Sequence, residues 1–431
     1  MIYLIKITKT NYMKIFIRNL LIISLLLFAS KLFSQESEEK KIDFKLSGFI
    51  RTDFYYDSRQ NAEALEGLLH IYPKDISLDA NSKDQNAQSS VGLVDIASRI
   101  TGQITGPDVF GAKLLGYLEV DFTGGIDGFT SRVRLRNAYS KLTWEKSEIL
   151  IGRDWHPMFT KEVFPTVLSI NTGLPFNAFN RSPMLFAAHK IGQFRVIGAV
   201  IYQSDYANSG PDGKSAKYLK NSGIPNLHLQ LQYNPGEFLF GVAADYKCIQ
   251  PRISVDTSIT SGTFYVADEK LNSYAWMGYF KYQQPKLVIK GKAVYGQNLS
   301  ESIMPGGYGV SSIDSITGTE KYTPFNHLYL WANVVYGDKF KVGIFGGYTR
   351  NYGANDNLID KKRNYGMALD ISYLYRIAPT VTYRIKNFQL GLELEYTVAA
   401  YGTNDLEDYG KVKDTHEVSN TRVLFSVSHY F

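Results

Sequence analysis

The stretch Thr421–Phe431, TRVLFSVSHYF, ends the chain. Read by twos, Val423, Phe425, Val427, His429 and Phe431 fall on one face, and Arg422, Leu424, Ser426, Ser428 and Tyr430 on the other. One face is nearly apolar and the other mostly polar, the period-2 signature of a strand. Soluble domains usually finish in a frayed polar tail, whereas this one stops in mid-strand on an aromatic residue. The fold turns on what the apolar face touches.

The same alternation recurs upstream. In Ile42–Asp57, Phe44, Leu46, Ile50 and Phe54 oppose Asp43, Lys45, Arg51 and Asp53. In Pro225–Tyr233, Leu227, Leu229 and Leu231 oppose His228, Gln230 and Gln232. Short connections (GPDVFG, EKS, IGQ, NPGE, QQPK, GDK, KN) alternate with long polar ones at 58–90, 204–224, 250–267, 298–323 and 401–418. Hairpins with short turns at one end and long loops at the other are the pattern of a transmembrane barrel. A soluble sandwich would need a second buried sheet for each polar face. A closed barrel in lipid keeps an apolar outside and a wet inside, and leaves no unpaired edge. Counting 363–385 as one strand gives an all-β antiparallel barrel of about 16 strands, or about 18 if that segment breaks at Pro379. An even count puts both termini on the periplasmic, short-turn side. Phe431 then faces the periplasmic lipid boundary, and strand-end tyrosines (Tyr202, Tyr246, Tyr295, Tyr336, Tyr396) fill the aromatic girdles.

The composition agrees. The 431 residues are 44% hydrophobic and 20% charged, too apolar for a disordered chain. They include 31 Tyr, 25 Phe and 36 Gly, and a single cysteine, Cys248, which rules out an intrachain disulfide or a cysteine metal cluster. A mean hydropathy of −0.18 argues against a bundle of membrane helices, while a barrel exposes only alternate residues to lipid. Near the start, Lys14 and Arg18 precede an apolar run from Leu20 to Ala29 and small residues before Gln35. This reads as a secretory signal peptide over 1–34, cut after Ser34, with Met13 an alternative start. The run is too short for a membrane anchor. Its removal takes away Lys6, Lys9, Lys14, Arg18 and Lys31 and no acid, so 42 basic residues face 41 acidic ones in a barrel spanning 35–431. That balance gives no electrostatic case for nucleic acid.

Two features carry the functional reading. In SRVRLRNAYSKL, Arg132, Arg134 and Arg136 share a strand face, with Glu119 and Asp121 as partners on the neighbouring strand. The alternatives are a structural ion-pair network and a basic ladder that guides anions, since rings of fixed charge set pore selectivity. After LIGRDW comes a connection with Phe159, Phe164, Phe176 and Phe179, too apolar to sit in water and expected to fold inside the barrel. Phase alone adds Arg51, Asp53, Arg99, Lys113, Lys290, Lys292, Asp370, Glu393 and Glu395 as lumen residues, and inward aromatics Phe49, Tyr117, Tyr329 and Trp331.

On these stretches, RVRLRNAYSKL, LIGRDW, the following loop and its closing Arg181, the sequence resembles the Gram-negative trimeric porin superfamily. Within it, the nearest flavour is the DcaP-like or phosphate- and dicarboxylate-preferring porins. The resemblance implies that Arg132, Arg134 and Arg136 line the pore and that residues 155–181 form an inward-folded third loop. It also places Asp154, Lys161, Glu162 and Arg181 near the narrowest point. The loop departs from the family in having Glu162 as its sole acid, which puts a strong transverse field in doubt. The expected protein is a homotrimeric outer-membrane channel, recognised by the assembly machinery through Phe431, passing small and preferentially anionic solutes without a cofactor. The rival is a closed accessory barrel in a larger outer-membrane complex.

Enzymatic readings find little support. No His-Glu-x-x-His or metal-ligand spacing occurs, and His429 on the lipid face has no nucleophile to pair with. GGYGV reads as a loop turn. A gated transporter needs about 22 strands and a plug, more than this length allows.

Overall fold

The computed structural model describes residues 42–124, 131–256 and 262–431. The leader expected over 1–34 lies outside the described residues. A first strand, β1 (Asp43–Asp57), is followed by β2 (Arg99–Thr105), β3 (Lys113–Asp121), β4 (Arg134–Thr143) and β5 (Ser147–Trp155). Next come β6 (Arg181–Ile191), β7 (Phe194–Ile201), β8 (Asn226–Tyr233), β9 (Phe238–Ile249) and β10 (Leu271–Gln283). The circuit continues through β11 (Leu287–Gln297), β12 (Glu320–Gly337), β13 (Phe340–Ala354), β14 (Ile371–Ile385), β15 (Phe388–Asp405) and β16 (Lys411–Tyr430).

These 16 strands form a closed antiparallel barrel. Closure joins β1 to β16 in register from Phe49 opposite Tyr430 to Asp57 opposite Arg422. The Phe431 N–H donates to the Gly48 carbonyl at 3.1 Å, and the Gly48 N–H donates back at 3.0 Å. The terminal aromatic residue is thus part of the seam. Along β16, Arg422, Leu424, Ser426 and Ser428 are buried in the lumen, while Val423, Phe425 and Phe431 are exposed on the outside. Among the described residues no helix is long and apolar enough to cross a membrane; the outward apolar rows of the strands supply the lipid-facing band. Tyr202, Tyr295, Tyr336 and Tyr396 are exposed on it. At the short-turn end Phe194 stacks on Tyr233 with centroids 4.8 Å apart, and Phe238 lies 4.8 Å from Tyr282.

Three local readings change. The connection expected over 401–418 shrinks to five residues between β15 and β16, because Thr403 to Asp405 pair with Lys411 to Lys413. Polar residues there stand above the membrane, where alternation no longer marks a strand. Segment 363–385 is not one strand: β14 begins at Ile371, with a separate short strand at Tyr365–Met367. Pro379 lies inside β14 without breaking it, its ring facing outward. GGYGV is not a turn but the start of a strand, Gly306–Ile313, that pairs with both β12 and Tyr365–Met367. Glycine suits it because a Cβ on Gly307 would lie 2.1 Å from the Tyr365 carbonyl oxygen.

Candidate functional site

The connection between β5 and β6, residues 156–180, leaves the wall and crosses the lumen. It is apolar enough to do so: Met158, Val163, Phe176 and Ala178 pack with Met277, Trp331, Phe345 and Ala378 of the far wall. Leu168, Leu174 and Phe179 pack with Tyr55, Leu69 and Leu424. Burying each large side chain contributes about 1.5–3 kcal/mol. Wall glycines make room, since a Cβ on Gly347 would meet Phe176 at 2.4 Å and one on Gly391 would meet Leu168 at 2.4 Å.

Polar groups of the far wall then satisfy the loop backbone, as a buried chain requires. Lys292 donates to the carbonyls of Met158 and Phe159, both at 2.9 Å, and to Asn177 Oδ1 at 3.0 Å. Lys290 donates to the Phe164 carbonyl at 3.0 Å, and Arg376 to the Leu174 carbonyl at 2.7 Å. Arg51, held by Asp53 at 2.8 Å, donates to the Leu168 carbonyl at 2.8 Å. Glu393 accepts the N–H groups of Leu168 and Ser169. Residues expected simply to line a wetted wall are the clamp of this loop.

The first long connection also turns inward. Its hairpin, Asn61–Ala64 with Leu69–Pro73, buries His70, whose Nδ1 lies 2.7 Å from Glu395. Arg376 donates to the Ile71 carbonyl at 3.0 Å and Arg422 to the Gly67 carbonyl. Burial pushes the His70 pKa down to about 4, with Arg376 adding to the effect against the hydrogen bond to Glu395.

The near wall carries the arginines. Strand β4 begins at Arg134, so Arg132 precedes it and is exposed. Arg134 and Arg136 share the inward face, with Leu135 exposed between them, and a bulge at Arg136, opposite the step from Glu119 to Val120, turns Asn137 inward as well. Arg134 pairs with Asp121 at 2.9 Å. Arg136 pairs with Glu119 and Asp121, both at 2.6 Å. Arg99 lies 3.8 Å from Glu119. Arg181 is fully buried without a carboxylate partner within ion-pair distance among the described residues. Its guanidinium sits 4.6 Å over Trp155 and donates to Tyr206 Oη at 2.7 Å.

Between loop and near wall a cavity of about 160 Å³ remains, lined by Tyr139, Lys141, Asp154, Lys161, Phe186 and Arg195 among others. Lys161 pairs with Asp154, and Arg195 with Glu148 and with Glu162 at 3.0 Å. Glu148, Glu162 and Arg195 also line a vestibule of about 880 Å³ at the short-turn end. Lys141, Glu148 and Arg195 were not among the sequence candidates; their inward phase beside the EKS and IGQ turns was the available signal. In four pairs the cation is the more exposed partner: Arg134 16% to Asp121 1%, Arg99 21% to Glu119 9%, Lys141 30% to Glu148 15%, and Lys161 46% to Asp154 7%. The water-facing side of these four pairs is basic, whereas in the pair of Arg195 and Glu162 the acid is the more exposed partner. Asp370 and Glu395 lie away from this gap, toward the first-connection hairpin.

One trio has the spacing of a metal site: His228 Nδ1 is 2.9 Å, and His156 Nε2 3.7 Å, from Asp245. However, His156 Nδ1 accepts the Met158 N–H, so the neutral ring carries its proton on Nε2, where an ion would need a lone pair. Burial holds this ring neutral, with its pKa down to about 4. The trio fits an internal hydrogen-bond network, not a cation.

Among solved structures, the outer membrane channel DcaP of Acinetobacter baumannii matches with a TM-score of 0.65 at 15% identity, over 90% of this chain and 97% of that one. The fold is that of the outer-membrane porins. The outer membrane protein OmpT of Vibrio cholerae, in its trimer form, matches with a TM-score of 0.54 at 9% identity, over 90% of this chain and 99% of that one. No family profile matches the chain, and no curated protein matches it by sequence. The porin fold places the short turns at the periplasmic end and the long loops outside.

Proposed function

We propose that the chain is a non-enzymatic, passive diffusion channel of the outer membrane for small solutes, with a preference for anions. The observation that carries this reading is the loop 156–180, clamped to the far wall so that a charged gap persists along β4 to β7. A solute would pass Lys161 and Lys141 in the gap, with Arg134 and Arg99 elsewhere on the near wall, each more exposed than its carboxylate partner. Fixed cations facing water favour anions by their field. Export would use the leader over 1–34, and assembly would read the strand that ends at Phe431. A homotrimer is the assembly state in this reading. Planar-bilayer recording of the detergent-purified protein tests the channel reading. Discrete steps, grouped in threes for a trimer, with reversal potentials toward the anion side, support it.

The same loops favour a second reading. Both the hairpin 61–73 and the loop 156–180 are buried inside the barrel, as a closed accessory barrel of a larger complex would require. A folded barrel with no conductance, co-purifying with a partner protein, would establish that reading instead.

A further inference from the structure

We infer that the channel selects anions mainly at its periplasmic mouth, through a ring of basic side chains on the inner ends of the strands. This inference rests on the channel reading above. Lys45, Lys113, Lys190, Lys281, Lys341 and Arg384 share the inward phase of β1, β3, β6, β10, β13 and β14 at the short-turn end. The phase follows from buried residues an even number of positions along: Asp121 for β3, Ala188 for β6, Tyr279 for β10, Phe345 for β13 and Thr380 for β14. None of the five lysines has a carboxylate within ion-pair distance among the described residues. At the opposite end, Lys217, Arg252, Arg363, Lys411 and Lys413 are each in an ion pair, while Lys321, Lys361 and Lys362 are in none among the described residues.

Register sharpens the point. Lys190 lies directly opposite Arg195, and Lys281 directly opposite Lys290. Like charges directly across strands destabilise a sheet, and two such pairs flank one vestibule. Of these four cations, Arg195 is compensated by Glu148 and Glu162, and Lys290 is engaged by the Phe164 carbonyl. Lys146, Lys190 and Lys281 then face the vestibule against two carboxylates outside ion pairs among the described residues, Glu145 and Glu237, which leaves the basic groups in excess. A space of 880 Å³ is about 10 Å across, comparable to the Debye length of about 10 Å at 0.1 M salt, so each fixed charge on its lining acts on an ion within it. The ring would concentrate small anions such as chloride, and divalent sulfate more steeply, before the constriction is reached. Because the basic groups face the lumen, the occupant is a small ion, not a docked protein.

The test is the triple variant Lys190→Glu, Lys281→Glu, Lys341→Glu beside Lys362→Glu in an exposed loop, each shown to be a folded barrel by its heat-modifiable mobility. Reversal potentials are read in potassium chloride and potassium sulfate gradients at 0.1 M and 1 M, after one-sided insertion. The expected result is an anion preference that falls at least about threefold in the triple variant at 0.1 M and little at 1 M, where the Debye length is about 3 Å. The loss should be largest when the dilute solution faces the short turns, and Lys362→Glu should match the parent. Lys281→Gln alone gives a smaller shift in the same direction if the triple variant fails to fold. An anion-selective parent whose preference survives these changes would overturn the inference and leave selection at the constriction. Absence of conductance in the parent would instead overturn the channel reading itself.

Discussion

Glu393, on the far wall of the barrel, accepts the backbone N–H of Leu168 at 2.7 Å, 225 residues away in sequence, and that of Ser169 at 2.9 Å. Thr380 Oγ1 donates to the same carboxylate at 2.6 Å. Glu393→Ala strands three buried donors, each worth about 1–3 kcal/mol when left unpaired. We expect a markedly lower melting temperature and a larger, noisier single-channel conductance as the loop loosens. A conductance unchanged from the parent would mean that this clamp does not set the pore.

Steric seating of the loop gives a second expectation. Gly391→Val and Gly347→Val place side chains where Leu168 and Phe176 now lie. Overpacking of this kind typically costs about 1–3 kcal/mol. Both variants should displace the crossing loop toward the near wall and reduce conductance, in the opposite sense to Glu393→Ala. Equal conductance in both variants and the parent would contradict the observed seating.

The arginines should part company on mutation. Arg136 is buried between Glu119 and Asp121, whereas Arg134 reaches water. Removing one partner of a buried pair costs about 3–5 kcal/mol, but loss of Arg134 leaves Asp121 its second partner, Arg136, and so costs less. Arg136→Gln should therefore lower thermal stability sharply, while Arg134→Gln should mainly alter ion selectivity. Comparable melting temperatures for the two variants would argue against the burial difference.

Acid should release the first-connection hairpin. His70 is buried among Glu395, Arg376 and, through Asn420, Asp57, and its pKa falls from 6.5 to about 4. A folded-state pKa below the unfolded value favours the neutral ring, so the hairpin is fully stabilised above pH 6.5. As pH falls toward 4, the released state takes up the proton first and up to about 3 kcal/mol is lost. Hydrogen exchange or protease cleavage within residues 61–73 should rise below pH 6.5, and His70→Asn should flatten that dependence. A hairpin equally protected at pH 7 and pH 4.5 would refute the assignment.

The barrel was legible in Thr421–Phe431 and its upstream copies, because in lipid every strand must show an apolar face and pair on both edges, and both demands are written at period two. Phase also placed Arg51, Glu393, Lys290 and Lys292 inside, and named Glu119 and Asp121 as partners of the arginines. What phase could not tell was what each inward group touches. Glu393 and Lys292 read as wetted wall, yet they bind the backbone of a loop that arrives from the other side of the barrel. The bulge at Arg136, which turns Asn137 inward and shifts the phase of the rest of β4, depends on a one-residue register shift that leaves no mark in composition. Extension of β15 and β16 to a five-residue turn was hidden for a similar reason: above the membrane, the apolar alternation is no longer required. Local alternation thus determined the wall. The narrowing of the lumen is long-range, set by hydrogen bonds between residues hundreds of positions apart, and only the tertiary structure decided it.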